Sequence, residues 1–591
     1  MSATLAARLE GAARDPSAGL RFFDRRERIT AASYAEIAAS AAAIGGKLRA
    51  LGVAPGERVA LIYPTSREFV DVLFGILHAG AVPVPLYPPV RLGRLDEYHR
   101  RTAAMLSAAG AVLALADTRL RPLLGPTVEQ SKPRLGCLTL GELPDGGLIQ
   151  PPVERSGDDL GLVQFSSGTT SMPKPVALSN RAILAQVDLI NGSWAPSGLP
   201  RPTGFSWLPL YHDMGLIGCI FAAMSLPSEL TLMGPEVFVA RPATWLRGMS
   251  QTKASVSVAP NFAYGLCLEK IRDEELEGVD LAAWRVALCG AEPVSPAVLR
   301  AFARRFAKWG FREEALTPVY GLSEATLAVS FSPLGQLFES RVYDREMLAR
   351  GEAVPLDEAS GAGVELASLG KALPGTRMRI VAEPGGGQKG ESLPERRVGR
   401  LEVSGPSLMD GYLGRPEATA EVLQEGWLDT GDLGFLDEGE LYLTGRAKDV
   451  VILRGRKYAP ADIEQALDNV PGVRKGCSVA ASGQVERGDR ELLYVFVEKA
   501  QKAAPEENLE SRVREAILEA TGLLVDQVVP VEPGTLPRTS SGKIRRGETL
   551  RLHLEGELAP PRKVTPWLLA GAWVKSRLAF RRAKKATAAN G

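Results

Sequence analysis

Five cysteines are all that the 591 residues contain: Cys137, Cys219, Cys267, Cys289 and Cys477. They form no CxxC pair and have no histidines at metal-ligand spacing. That excludes a zinc module or disulfide scaffold and leaves buried free thiols as the reading. Histidine is scarcer still, at His78, His99, His212 and His553. Charge of one sign is also missing. With 70 Lys and Arg against 69 Asp and Glu, the net charge is +1, so the overall field steers neither nucleic acid nor anionic membrane, and such a partner needs a local patch. No apolar run approaches the ~20 residues that span a bilayer; the longest runs from Met214 to Leu226. The first twenty residues carry no apolar block, so a secretory signal is not expected and the chain reads as cytoplasmic.

What is present is globular text, 45% hydrophobic and 24% charged, long enough for about three to five structural units. From Leu51 it alternates: "ERVALIYP" as a buried strand, "REFVDVLFGILHAG" as an amphipathic helix, "AVPVPLYPP" as a strand stopped by prolines. The same grammar recurs at "TGFSWLPL", at "ASVSVAP" before "NFAYGLCLEKI", and at "WRVALCG" before "SPAVLRAFARRFAKWG". It predicts an α/β architecture with much parallel sheet, whose ligands bind beyond the strand ends. After Phe331 the text turns Gly-, Pro- and Glu-rich, with short strands such as "RMRIV" and "RLEVSG" and no room for long helices. Beyond "YLTGRAKDVVI" a small α+β domain is expected, with helices at 461–467 and 509–521 and strands at "SVAA" and "LLYVFVE".

The stretch "LVQFSSGTTSMPKPVALSN" sets a run of small and hydroxyl residues just after a strand. Successive N–H groups of such residues can form a concave anion nest, and Lys174 adds a point charge. It is not the GxxxxGK[ST] pattern, so an ordinary P-loop ATPase is not implied. A polar surface turn stays open on this stretch alone.

In chain order there follow "SWLPLYHDMGLIG", "LCGAEPVS", "YGLSEATL", "WLDTGDLGFL", "GRAKDVVILRGRKYAPADIE" and "LPRTSSGKIRR". Together these resemble the adenylate-forming superfamily over about residues 5–554, and "PVPLYPP", "LPLYHDMGLIG" and "YGLSEATLAVS" look most like its fatty acyl-AMP ligases. The resemblance implies a large multi-subdomain N-terminal domain (1–447), a hinge at Lys448, a small mobile C-terminal lid (448–556) and, outside it, a basic tail (557–591). It implies activation of a fatty acid by ATP to acyl-AMP with release of pyrophosphate, then transfer to the thiol of an acyl carrier protein. A long-chain acyl-CoA ligase is the alternative, and a catalytically weak acyl- or nucleotide-binding scaffold a third reading.

Carried over residue by residue, Ser166, Ser167, Gly168, Thr169, Thr170 and Lys174 would hold the β- and γ-phosphates. Glu324, with Thr170, would hold Mg²⁺. Gly290, Ala291 and Glu292 would border the adenine, with Tyr320 stacking on it beside Gly321 and Ser323. Asp432 would accept the ribose hydroxyls, supported by Arg446. Lys543 would bridge the substrate carboxylate and the α-phosphate, and His212 would sit at the acyl entrance. Two positions depart from the superfamily loop: Ser171 and Pro175 stand where glycine is common, which puts part of the phosphate grip in question. Met214, Leu216, Ile217, Cys219, Ile220 and Phe221, with Phe262, Tyr264 and Leu266, are expected to supply the wall of the acyl chain, although any of them could simply be core and many must be. Gly455 would line the acceptor tunnel. An insertion at about 340–374 falls where acyl-AMP ligases carry one that limits lid motion, which favours a carrier protein over coenzyme A. The tail from 561 to 591 carries eight Lys or Arg and no acid, interleaved with Trp567, Leu568, Leu569, Trp573, Val574, Leu578 and Phe580. These fall on no single helical face, so the tail is either a dock for an acidic carrier or anionic lipid, a peripheral membrane contact, or a solubilising extension.

Overall fold

A computed structural model describes residues 3–89, 92–166, 172–357, 363–383, 390–453, 456–484, 491–500, 508–539, 542–562 and 564–589. Its centre is a nine-stranded sheet in which strands Gly204–Ser206, Glu229–Met233, Val256–Ala259, Val286–Cys289 and Leu316–Gly321 run parallel. The strand Val286–Cys289 is buried along its whole length. Val286 and Leu288 pack with Ile190 and Trp194, whereas Ala287 and Cys289 pack with Trp245, Tyr264 and Trp284. This period of two means that both sheet faces are covered, which is why the strand reads as an unbroken apolar run. A second parallel sheet joins Arg58–Ile62, Val82–Pro85, Ala111–Ala116 and Cys137–Leu138.

The antiparallel parts were harder to foresee. Strand Leu160–Phe165 turns back on Pro175–Ser179, which pairs in turn with Gly411–Tyr412. Pro175 opens its strand, where a missing N–H is tolerated, and its carbonyl accepts from Leu413 N at 2.8 Å. Strands Trp427–Asp437 and Glu440–Arg446 pair with Asp432 opposite Arg446.

The C-terminal unit has its own core of Val451, Ile463, Leu467, Val495, Val513 and Ile517 among others. Strands Val473–Gln484, Glu491–Lys499 and Gln527–Val531 form its sheet, and helices Pro460–Gln465 and Leu509–Thr521 flank it. The chain therefore has a large N-terminal and a smaller C-terminal domain in a mixed α/β fold. Lys448 is exposed in the turn between Arg446 and Val451.

The tail forms one helix, Pro566–Ala589, docked on the short helix Gly125–Ser131 of the N-terminal domain. The backbones approach so closely that a Cβ on Gly125 would lie 2.1 Å from the Ser576 carbonyl oxygen, so only glycine fits there. Among the described residues no helix is long and apolar enough to cross a membrane.

Candidate active site

One cavity of about 2230 Å³ opens where the parallel strands end, under the C-terminal domain. It exceeds the usual ~300–1,000 Å³ of a small-ligand pocket and so has room for a nucleotide and a second substrate together.

At one end of it, Ala291 and Glu292 follow strand Val286–Cys289, and Tyr320 and Gly321 end strand Leu316–Gly321. Gly290 sits behind them, against Val319. Ala291 adopts φ +70°, a left-handed conformation rare outside glycine and a sign of constraint at the site. The Tyr320 hydroxyl donates to Asp432 Oδ2 at 2.6 Å, and Arg446 Nε donates to Asp432 Oδ1 at 3.0 Å. Asp432 is thus pinned by one donor on each oxygen, with lone pairs left for a diol. Burial first, and the neighbouring Asp432 charge second, push the Tyr320 hydroxyl well above its usual range, so it remains a donor. Asp432 in turn raises the Arg446 pKa.

The small-residue loop is closed at its neck by Ser166 N donating to the Lys174 carbonyl (3.0 Å) and Lys174 N donating to Ser166 Oγ (3.2 Å). Ser167, Gly168, Thr169, Thr170 and Ser171 lie outside the described residues, as does Gly455. Lys174 Nζ lies 4.4 Å from the ring centre of Tyr412, whose hydroxyl donates to Glu324 Oε1 at 2.9 Å. Burial raises the Glu324 carboxyl above its usual range. A largely buried carboxylate with one oxygen committed to a tyrosine fits a cation at the other. Among the described residues no cluster of three acidic, His or Cys side chains could cage a metal alone. This suits Mg²⁺, which commonly takes one or two carboxylates together with substrate phosphates.

From the C-terminal domain, Lys543 enters the same cavity. Its turn is held by Thr539 N donating to the Lys543 carbonyl (2.7 Å) and by Lys543 N donating to Thr539 Oγ1 (3.1 Å). Arg538 braces that turn by donating to the Gly542 carbonyl (3.0 Å) and Cys477 Sγ (3.1 Å). Burial, then the Arg446 charge, lower the Lys543 pKa, while Asp213, Glu292 and Asp432 oppose the shift. Glu292 accepts from Phe262 N at 2.5 Å, and burial raises its carboxyl.

Toward the apolar end, His212 Nδ1 lies 2.6 Å from Asp213 Oδ1, and Ser323 donates to Asp213 Oδ2. Burial opposes ionisation of Asp213, but the His212 charge and these hydrogen bonds hold its pKa at about 2. The carboxylate fixes the imidazole's orientation. The expected acyl wall is half right. Met214, Cys219, Phe262 and Leu266 line the cavity, but Leu216, Ile217, Ile220, Phe221 and Tyr264 lie in the packed core. Residues Leu216–Phe221 form a π-helix, and Gly218, with Ala222 and Ala223 just beyond the helix, reaches the cavity, facing Trp194 and Leu327.

Residues 11–413 match the AMP-binding enzyme family. The chain belongs to that family. The C-terminal part of this AMP-binding enzyme, 448–562, matches the Disco-interacting protein 2-like AMP domain. The enzyme is 34% identical to the medium-chain-fatty-acid–[acyl-carrier-protein] ligase JamA of Moorena producens, over 90% of this chain and 91% of that one. It is 32% identical to the long-chain-fatty-acid–AMP ligase FadD23 of Mycobacterium tuberculosis, over 85% and 87%. A solved structure from a study of fatty acyl-adenylate ligases of E. coli and L. pneumophila superposes with a TM-score of 0.86 at 33% identity, covering 94% of this chain and 98% of that one. The adenylate-forming fold follows.

Proposed function

We propose that this AMP-binding enzyme activates a fatty acid with ATP and passes the acyl group to the phosphopantetheine thiol of an acyl carrier protein. The observation that carries this reading is the convergence of Lys543, Asp432 with Arg446, Glu324 and an apolar tunnel on one cavity. The relatives named above act on fatty acids and, in one case, an acyl carrier protein.

In the first half-reaction a carboxylate oxygen bonds to the α-phosphorus and the bond to the β-phosphate oxygen breaks, releasing pyrophosphate. Negative charge gathers at one phosphorus, so preorganised cations lower the barrier most. Lys543 holds the incoming carboxylate and an α-phosphate oxygen. Asp432, fixed by Tyr320 and Arg446, accepts the ribose hydroxyls. Glu292 and Ala291 border the base, against Tyr320 and Gly321. Ser166 to Thr170 and Lys174 receive the outer phosphates. Mg²⁺, when bound, neutralises triphosphate oxygens, and Glu324 with Thr170 would hold it. His212, oriented by Asp213 and through it by Ser323, stands at the acyl mouth. In the second half-reaction the thiol sulfur bonds to the acyl carbonyl carbon, the thiol proton is lost and AMP leaves. Lys448 serves as the pivot.

The insertion favours a carrier protein over coenzyme A. Its hairpin, Ser340–Asp344 with Gly363–Ala367, is tied to the N-terminal domain by Arg300 with Glu365, and Arg345 next to it reaches Asp462 of the C-terminal domain at 3.4 Å. The need for ATP and the five buried free thiols fit a cytoplasmic setting. Mass spectrometry after incubation with mixed fatty acids, ATP and Mg²⁺ tests the reading. Acyl-AMP, and acyl carrier protein once that is added, are expected. No ATP consumption with any aliphatic acid overturns it, and robust acyl-CoA formation overturns the choice of acceptor.

A further inference from the structure

The C-terminal helix Pro566–Ala589 carries two apolar faces, and only one of them is used inside the molecule. The inner face holds Leu568, Ala572, Ser576, Ala579 and Ala583, spaced three or four apart. Ser576 and Ala579 are fully buried, and Ser576 Oγ accepts from Gly125 N at 2.7 Å. Lys575 pairs with Asp96 at 2.8 Å, Arg582 pairs with Glu129, and Arg121 lies 4.9 Å from the Phe580 ring centre. These contacts order the helix before any partner arrives.

The opposite face presents Trp567, Gly571, Val574, Leu578 and Arg581, again spaced three or four apart. Trp567 is 85% exposed, and Trp573, Val574 and Leu578 are each about half exposed. A lone exposed apolar residue is ordinary, but Trp567, Val574 and Leu578 aligned on one face, with the exposed Trp573 on its flank, mark an interaction surface. Its borders are cationic: Arg577, stacked on Trp573, and Arg581 stand on one side, Lys575 and Arg582 on the other. Residues 561–591 hold eight of the chain's 70 Lys or Arg and none of its 69 Asp or Glu, so the rest of the chain is net acidic.

From this juxtaposition we infer that the outer face of the C-terminal helix is an interfacial anchor that seats the enzyme on an anionic lipid surface. Indoles settle at the boundary between headgroups and acyl chains, short aliphatics enter just below it, and Arg577 and Arg581, on the flank away from the Asp96 and Glu129 pairs, meet lipid phosphates. The substrate class in the proposed function supplies a use, because long-chain acids partition into bilayers. The cavity wall reaches the same region: Pro561, Arg562 and Val564, just ahead of the helix, line it together with Leu92, Gly93 and Arg94.

The test is co-flotation of the full-length protein with vesicles, without ATP or acyl substrate, so the result does not depend on the proposed reaction. One set of vesicles is pure phosphatidylcholine and the other contains one-third phosphatidylglycerol. Binding to the second but not the first is expected, weakening at high salt. The triple variant W567S/V574S/L578S leaves every buried contact and every cation in place, and should lower the bound fraction about tenfold. The variant should adenylate water-soluble octanoate at the normal rate but act more slowly on vesicle-held palmitate. Failure of the wild-type protein to float with either vesicle overturns the inference. So does equal binding by the triple variant. A triple variant that floats normally but acylates its carrier protein poorly would assign the face to a protein partner instead.

Discussion

At the residue scale the site turns on an ammonium group whose surroundings pull both ways. Burial and Arg446 lower the Lys543 pKa, while three carboxylates oppose them. Nucleotide phosphates would add negative charge beside it and restore the proton. In the free enzyme, therefore, the charged form is lost at a pH below the ordinary lysine value of 10.5. The alkaline limb of kcat/KM for ATP should fall below that value, and Lys543→Arg, whose guanidinium stays charged, should remove the limb while lowering the rate. Lys543→Ala should lower pyrophosphate exchange about 10²–10³-fold, the scale of losing one charge-stabilising donor. That Lys543, Asp432, Glu324 and Tyr320 would meet in one cavity was legible because each sits in a run of neighbours that makes its setting specific. Tyr412 and Arg538 were not. Tyr412 links Lys174 to Glu324 from a strand more than 80 residues further on, and Arg538 acts by bracing a turn, which no local pattern announces.

At the scale of elements, the parallel strands declared themselves, since a strand covered on both faces must be apolar throughout. The hairpin that closes the phosphate loop did not, because Pro175 reads as a strand breaker and only its place at the strand's first residue makes it acceptable. Which of the candidate wall residues are core and which line the cavity could not be read from an apolar run alone. Leu216 and Ile220, four apart, share the core face, and Gly218 and Ala222, also four apart, share the cavity face. Ala222→Phe should shorten that tunnel. In competition between long and medium acids, read by mass spectrometry, the preference should move to the shorter chain, at about 0.8 kcal/mol for each methylene no longer buried. The insertion allows a second test. The Arg345–Asp462 pair is partly exposed and worth no more than about 1 kcal/mol. Arg345→Ala should raise acyl-CoA formation by about fivefold at most, measured as coenzyme A thioester per acyl-AMP consumed.

At the scale of the molecule, the two domains were visible in composition, but the tail was not. Its apolar residues fit no single helical face because they serve two, and a single sequence does not reveal that one of them is covered by a segment more than 400 residues earlier. Ala579, fully buried beneath the helix, is the place to test the docking. Ala579→Asp sets an unpaired carboxylate against the N-terminal domain, and should detach the helix and speed tryptic cleavage at Arg577 and Arg581 at least tenfold.

A flap hung from one pivot can turn through any arc its neighbours allow. Here the trailing edge is moored as well, because the chain leaves the small domain at Leu554 and is riveted again from Pro566. Eleven residues of slack reach about 36–40 Å when drawn taut, and Arg94 shortens the line by gripping the Ala559 carbonyl, while its bonds to the Gly534 and Thr535 carbonyls hold the small domain itself. If the small domain swings as proposed, its arc is set at this far end, and lengthening the tether should widen it without touching Lys448 or Lys543.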